Sequence, residues 1–362
     1  MKKFIRNGMF VTATGALLLA AACGDDAEPS DTEAGGEEDS ETEEAEDSEE
    51  AEDVEIEYEE YPDNVVLGTA SQGGTYYIYG GGIGSLLESE LDVTANVEVT
   101  GGPVHNMQLT DAGDQDLGLI TYGPGYEGLT GTGEWTGGQE HDNVRVTFPM
   151  YYTPFHWWSL AGSGVETIAD LDGERAGIGP SGGTSGTYLP LIHDALGLDV
   201  DPVEAGASDM VSQQMDGQLD VIGFAAGIPI SAVTEVESQE EISFFGIDGE
   251  ERDQVIEELP YFDEFTIPAD TYEQLDEDLE TIAMFNFGIV NKEANEDFVY
   301  DMVKAYHENQ EELMNTHSAA EEADIEAIEM NEDLLMHPGA IRFYEEEGIE
   351  LPEDVYPPEW QD

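Results

Sequence analysis

Basic residues are nearly absent from this chain. Its 362 residues hold nine Lys and Arg against 84 Asp and Glu, a formal net charge of −75. That balance excludes nucleic-acid binding, which needs a basic surface to neutralise phosphates, and it excludes docking on anionic lipid. Cysteine occurs once, at Cys23, so no internal disulfide can form. The apolar stretch from Met9 to Leu19 falls well short of the ~20 residues a spanning helix needs, and no spanning helix follows it. Whatever crosses a membrane must then be a partner. The seven histidines (105, 141, 156, 193, 307, 317, 337) are scattered without a metal-ligand spacing such as His-Glu-x-x-His. No Gly-x-Ser-x-Gly elbow comes with a partner set. The glycine-rich run Gly179 to Thr187 lacks the Gly-Lys-Ser/Thr ending of a phosphate-binding loop. Acidic pairs are too common for any one of them to mark acid–base chemistry or a calcium site. The expectation is a binding protein with no enzyme chemistry, no cofactor and no metal.

The acids are unevenly spread. Residues 24–60 hold 21 of them and no Lys or Arg. Such a segment cannot bury enough apolar surface to fold, and self-repulsion extends it, so it reads as a disordered tether. Before it, Lys2, Lys3 and Arg6, the apolar run and Ala20-Ala21-Ala22-Cys23 read as a secretory signal over 1–23. The lone Cys after Leu-Ala-Ala-Ala resembles a bacterial lipobox, which implies lipidation of Cys23 and a lipid anchor in the membrane. Residues 61–362 keep 63 acids against Arg145, Arg175, Arg252, Lys292, Lys304 and Arg342, a net charge near −57. Repulsion of that size is screened at molar salt, where the Debye length is about 3 Å. The balance points to an exported protein of a halophile.

The chain is organised around Val65 to Leu87. A short buried strand (Val65–Leu67), a loop of small and hydroxyl residues (Gly68–Gly74) and a helix from about Thr75 follow one another. Ser71 and Thr75 are candidate N-caps. Gly80, Gly81 and Gly84 weaken the helix, by roughly 1 kcal/mol each relative to Ala, so it must lie against a sheet to hold. Its N-terminus suits an anion or carboxylate. The pattern returns at 176–192, where Ser181-Gly-Gly-Thr184 echoes Ser71-Gln-Gly-Gly-Thr75. Farther on, Ala112 to Ile120 is matched by Asp216 to Phe224. The offsets, 110 and 104 residues, suggest two similar lobes with a ligand between two helix N-termini. Strand-like runs (Val144–Met150, Ala176–Ile178, Val221–Phe224, Ile282–Val290) alternate with helical ones (Met107–Ala112, Tyr188–Leu196, Met210–Met215), which argues α/β. Phe298 to Asn315 has helical apolar spacing, a further helix follows from Ala323, and the tail ends in Pro-rich coil.

Five stretches resemble the TAXI family, the substrate-binding proteins of TRAP transporters. They are Gly68–Tyr77, Thr100–Met107, Ala169–Arg175, Ser181–Thr187 and His337–Tyr344, in the expected order across nearly all of 62–350. The departure is Pro103, where the family usually has Ser, in a ligand loop that also holds Gly102. The resemblance implies an α/β, two-lobed periplasmic-binding-protein fold of the second type, its lobes joined by crossover strands. Lobe 1 is expected at 61–152 and 285–362, lobe 2 at 153–284. It further implies a small carboxylate solute, glutamate or 2-oxoglutarate-like, and a TRAP-type membrane permease as partner. A ligand-sensing subunit of a signalling system with the same fold is the alternative.

No Lys or Arg lies between Arg6 and Arg145, and Arg175 reads as structural. A carboxylate is therefore expected to be held by backbone N–H groups and hydroxyls. The candidates are Ser71, Gly74 and Thr75 from one lobe and Ser181, Thr184 and Ser185 from the other. Asn106 either orients the ligand through its amide or caps the helix after it. Tyr76, Tyr122 and Phe224 are candidate walls, and the aromatic run from Tyr151 to Trp158 reads as crossover strand and core.

Overall fold

The computed structural model describes residues 59–361. Cys23 and the segments read as signal and tether, up to residue 58, lie outside the described residues.

The chain first lays down β1 (Asn64–Gly68), α1 (Thr75–Glu90), β2 (Thr94–Glu98), α2 (Pro103–Ala112), β3 (Leu117–Thr121) and α3 (Tyr122–Thr130). Strand β1 pairs in parallel with β2 on one side and β3 on the other. After the long β4 (Val144–Leu160), the same programme repeats as β5 (Arg175–Gly177), α4 (Thr184–Leu196), β6 (Asp201–Val203), α5 (Ala207–Met215) and β7 (Val221–Ala225). Here β5 is flanked in parallel by β6 and β7. The chain continues through α6 (Ser231–Glu237), β8 (Ile242–Phe245), α7 (Gly249–Glu258), β9 (Asp263–Ile267) and the long β10 (Leu279–Asn291). It closes with α8 (Glu296–Glu308), α9 (Gln310–Thr316) and α10 (Pro338–Glu347).

The strand order β2-β1-β3-β10-β4-β7-β5-β6 is a palindrome of roles about its centre. The 110-residue echo in the sequence is this pseudo-symmetry, since β1 and β5 occupy matching places in the two halves. Strands β4 and β10 run antiparallel through the middle. Residues Val144–Pro154 of β4 pair with β10, whereas Phe155–Ser159 pair with β7. On its other edge β10 pairs with β3 through Asn286–Val290. Each long strand thus serves both lobes, which makes them the crossover strands.

The strand β4 takes in both the run Val144–Met150 and the aromatic run Tyr151 to Trp158 read as crossover strand, because that continuation is buried on both faces. Such strands read as apolar runs rather than alternations. Phe155 and Trp157 enter one apolar cluster of the second lobe, with Val221 and Ala225 of β7. Trp158 enters another with Ile222 and Phe224, as the two-residue period of a strand requires.

The helix α1 does lie against the sheet, and its glycines are the reason it can. A Cβ on Gly80 would fall 2.3 Å from Thr69 Cγ2, and one on Gly84 2.6 Å from Val97 Cγ2. Nothing lies near Gly81 to explain it in this way. The helix expected over Phe298–Asn315 is two helices. Asn309 breaks it at φ −118°, ψ 30°, where its side chain donates to the Ala305 carbonyl at 2.8 Å. Asn competes for helical carbonyls in this way.

Candidate functional site

The N-termini of α1 and α4 come together across the gap between the lobes. Their N-cap residues are Gly74 and Gly183, both in extended backbone, and no side chain caps either helix. Ser71 and Thr75 therefore do not cap α1 as expected. Glycine at the N-cap leaves the first-turn N–H groups without a side-chain acceptor, so they are open to a ligand. Around them lies a narrow cleft of about 40 Å³ that opens to solvent. Ser71, Gly74, Thr75 and Tyr76 line it from the first lobe, and Gly183, Thr184, Ser185 and Phe224 from the second.

The lobes are in contact around this cleft. The Thr75 hydroxyl donates to the Gly227 carbonyl, and the hydroxyls of Thr121 and Thr184 meet at 3.2 Å. Val104 N–H donates to the Gly182 carbonyl at 3.0 Å. The loop Ser71–Gly74 is gripped from behind as well. Ala207 N–H, at the start of α5, donates to Ser71 Oγ (3.4 Å), and the Ser231 hydroxyl donates to the Gly73 carbonyl (2.9 Å).

Among the fifteen residues lining the cleft there is no Asp, Glu, Lys, Arg or His. In a chain with 84 acids that exclusion is specific. Arg175 is held at Asp220 (2.7 Å), Arg145 is buried against Glu359 (2.5 Å), and Arg252 and Arg342 pair with surface acids. Tyr76 is the one titratable group on the wall. Burial pushes its hydroxyl well above the usual phenol range, and it donates to Asn286 Oδ1 at 2.6 Å.

Hydrogen-bond donors are left over. The Ser185 hydroxyl, buried to 2 % exposure, accepts from Ala225 N–H at 2.8 Å, and its own proton has no acceptor among the described residues. The Thr121–Thr184 pair shares one hydrogen bond between two hydroxyls, which leaves a second proton unused. Phe224 is wedged between the two lobes' loops. A Cβ on Gly74 would lie 3.7 Å from its Cε1, and one on Gly179 3.1 Å from its Cε2.

Four of the expected residues lie elsewhere. Ser181 is exposed and lines a separate groove with His105, Glu127 and Trp135 on the outer side of the seam. Asn106 is fully buried, and its amide is spent on the chain itself. It donates to the carbonyls of Thr69 (2.9 Å) and Leu119 (2.8 Å) and accepts from Thr100 (2.7 Å). Tyr122 points its hydroxyl at Asp333 (2.8 Å) and stacks on Tyr126. Gly102 does not line the cleft, although its neighbours Gly101 and Pro103 do. It is the N-cap of α2 at φ +113°, where only glycine is comfortable, and a Cβ there would meet Gly183 Cα at 2.9 Å.

The cleft also has walls that the sequence reading did not name. Thr153 reaches it from β4, in the middle of the aromatic run, and Ala225 and Ala226 from the end of β7. Thr153 is the one aliphatic hydroxyl in that aromatic run, which was the available signal.

Two solved structures place the fold. MatC from Rhodopseudomonas palustris with bound malate is 12% identical, covers 79% of this chain and 99% of its own, and superposes with a TM-score of 0.53. The periplasmic binding protein BugD is 15% identical, covers 81% of this chain and 100% of its own, at a TM-score of 0.51. The fold is accordingly the two-lobed type 2 fold of periplasmic binding proteins. The sequence profile of the NMT1-like family matches residues 67–348, and the chain belongs to that family.

Proposed function

We propose that this chain is an extracytoplasmic solute-binding protein that closes its two lobes on a small carboxylate and delivers it to a membrane permease. One observation carries the reading: two uncapped helix N-termini and unused hydroxyl protons meet in a cleft that holds no ionised side chain. Donors without a counter-charge suit an anion, because helix N–H groups carry partial positive charge at no cost in buried cations. MatC, of like fold, holds malate. The contact residues we assign are Gly74, Thr75, Thr184 and Ser185, with Tyr76 and Phe224 as walls.

The finer parts of the reading follow the TAXI resemblance. The permease is of TRAP type, Cys23 carries a lipid anchor, and the lobes divide as 61–152 with 285–362 and 153–284. The role is binding rather than catalysis, since no nucleophile stands beside a base in the cleft. A thermal-shift panel of small acids at molar salt tests the central claim, and no shift with any acid overturns it. Mass spectrometry of the membrane fraction tests the anchor: a lipid mass on Cys23, lost in Cys23→Ser, is the expected result.

A further inference from the structure

We infer that the solute is a short monocarboxylate with an apolar tail, carrying neither an α-ammonium nor a second carboxylate. This rests on the carboxylate-receptor reading above and departs from the glutamate or 2-oxoglutarate expected by resemblance.

The first argument concerns the ammonium. An amino acid bound in a closed cleft needs an acceptor, usually a carboxylate, for its charged nitrogen, because an unpaired buried ammonium is strongly unfavourable. No acid lines this cleft. The polar side chains on its wall are all hydroxyls, neutral acceptors that do not offset the charge of an ammonium. Tyr76 and Thr153 both donate to Asn286 Oδ1, at 2.6 and 3.0 Å. Thr75 donates to Gly227, and Ser185 accepts from Ala225.

The second argument concerns the far end of the ligand. Six of the fifteen residues lining the cleft, Ala70, Pro103, Pro180, Phe224, Ala225 and Ala226, are apolar. None of these offers a side-chain donor, and the two prolines lack even a backbone N–H. Pro103, on this wall, supplies neither a hydroxyl nor an N–H. The helix ends and unused hydroxyl protons can serve one carboxylate. A second carboxylate pressed against this apolar wall would be desolvated without partners, and a methyl or ethyl group would not.

Isothermal titration at molar salt, with four matched probes, tests the inference. The probes are 2-oxobutanoate, 2-aminobutanoate, 2-oxoglutarate and glutamate. The expected result is that 2-oxobutanoate binds tightest, by roughly 100-fold or more over the other three. Tighter binding of 2-oxoglutarate, glutamate or 2-aminobutanoate overturns the inference while leaving a carboxylate receptor in place. Binding of none of them overturns both. In Pro103→Ser the 2-oxoglutarate affinity is expected to rise about tenfold while that of 2-oxobutanoate stays level. An unchanged preference in that variant counts against the apolar wall as its cause.

Discussion

The Ser231 hydroxyl, on the first residue of α6, donates to the Gly73 carbonyl at 2.9 Å, and the next backbone N–H, from Ala232, donates to the same oxygen at 3.2 Å. One residue on, Gly74 caps α1 at the cleft wall. The loop we assign to the solute is thus held from behind by the opposite lobe, so closure and the proposed binding would bias the same segment. Ser231 is exposed, and its loss leaves no buried group unpaired. In Ser231→Ala the Ala232 bond remains, so affinity is expected to fall about fivefold. The loss should appear as faster release in stopped-flow measurements, with the association rate little changed. An unchanged release rate would show that the contact does not help hold the lobes together.

Gly102 tests closure from the other side. Its φ of +113° and its approach to Gly183 Cα leave no room for a side chain. Gly102→Ala adds about 1–3 kcal/mol of backbone strain and places a methyl group in the seam. The expected outcome is a protein that still folds, as judged by circular dichroism. Its radius of gyration in small-angle scattering should no longer contract on adding solute. Contraction equal to that of the unmodified protein would mean that the lobes close by another path.

Much of this was legible in the sequence because it is local. The strand–loop–helix pattern at 65–87, its echo at 176–192, and the turn before β3 and β7 are set by glycine, hydroxyl and apolar spacing within about twenty residues. The palindromic sheet follows from having the pattern twice. What the sequence did not give depends on partners far along the chain. Asn106 looks like a free amide until Thr69 and Leu119 come to it. Ser181 looks equivalent to Ser71, yet the second lobe presents Pro180 and Gly183 to the cleft and leaves Ser181 on the outer side. Pro103 reads in the sequence as a loop residue, and only its position on the cleft wall gives it a chemical meaning.

Acid should loosen the protein well before its carboxylates titrate fully. Burial lowers His156, His193 and His307 to about 4 and His337 to about 3, from an ordinary 6.5. The folded state keeps these rings neutral, while the unfolded chain takes up protons near pH 6.5. Their contribution is therefore complete above pH 6.5 and is lost as pH falls toward 4. Each histidine withdraws up to about 1.4 kcal/mol per pH unit within that window. Glu322 and Asp263, whose carboxyls burial raises, act in the opposite sense at the acid end. Denaturant midpoints at molar salt should then decline from pH 6.5 toward about 5. A flat profile would show the histidines to be solvated. Solute affinity over the same window should stay level, because no group on the cleft wall titrates there.

Salt should stabilise the fold, and the shape of its effect should identify the cause. Among the described residues, Arg145, Arg175, Arg252 and Arg342 pair with acids at 4.0 Å or closer. Most of the carboxylates among the described residues thus have no cationic partner. Unfolding moves those charges apart, so their repulsion favours the open chain until it is screened. The Debye length falls from about 10 Å at 0.1 M to about 3 Å at 1 M. The melting temperature is therefore expected to rise most steeply below about 1 M NaCl and then to flatten. Sodium sulfate, which also strengthens apolar burial, should continue to raise it beyond that point. A melting temperature that falls over the first molar of NaCl would mean that paired charges, rather than repelling ones, govern the stability of this protein.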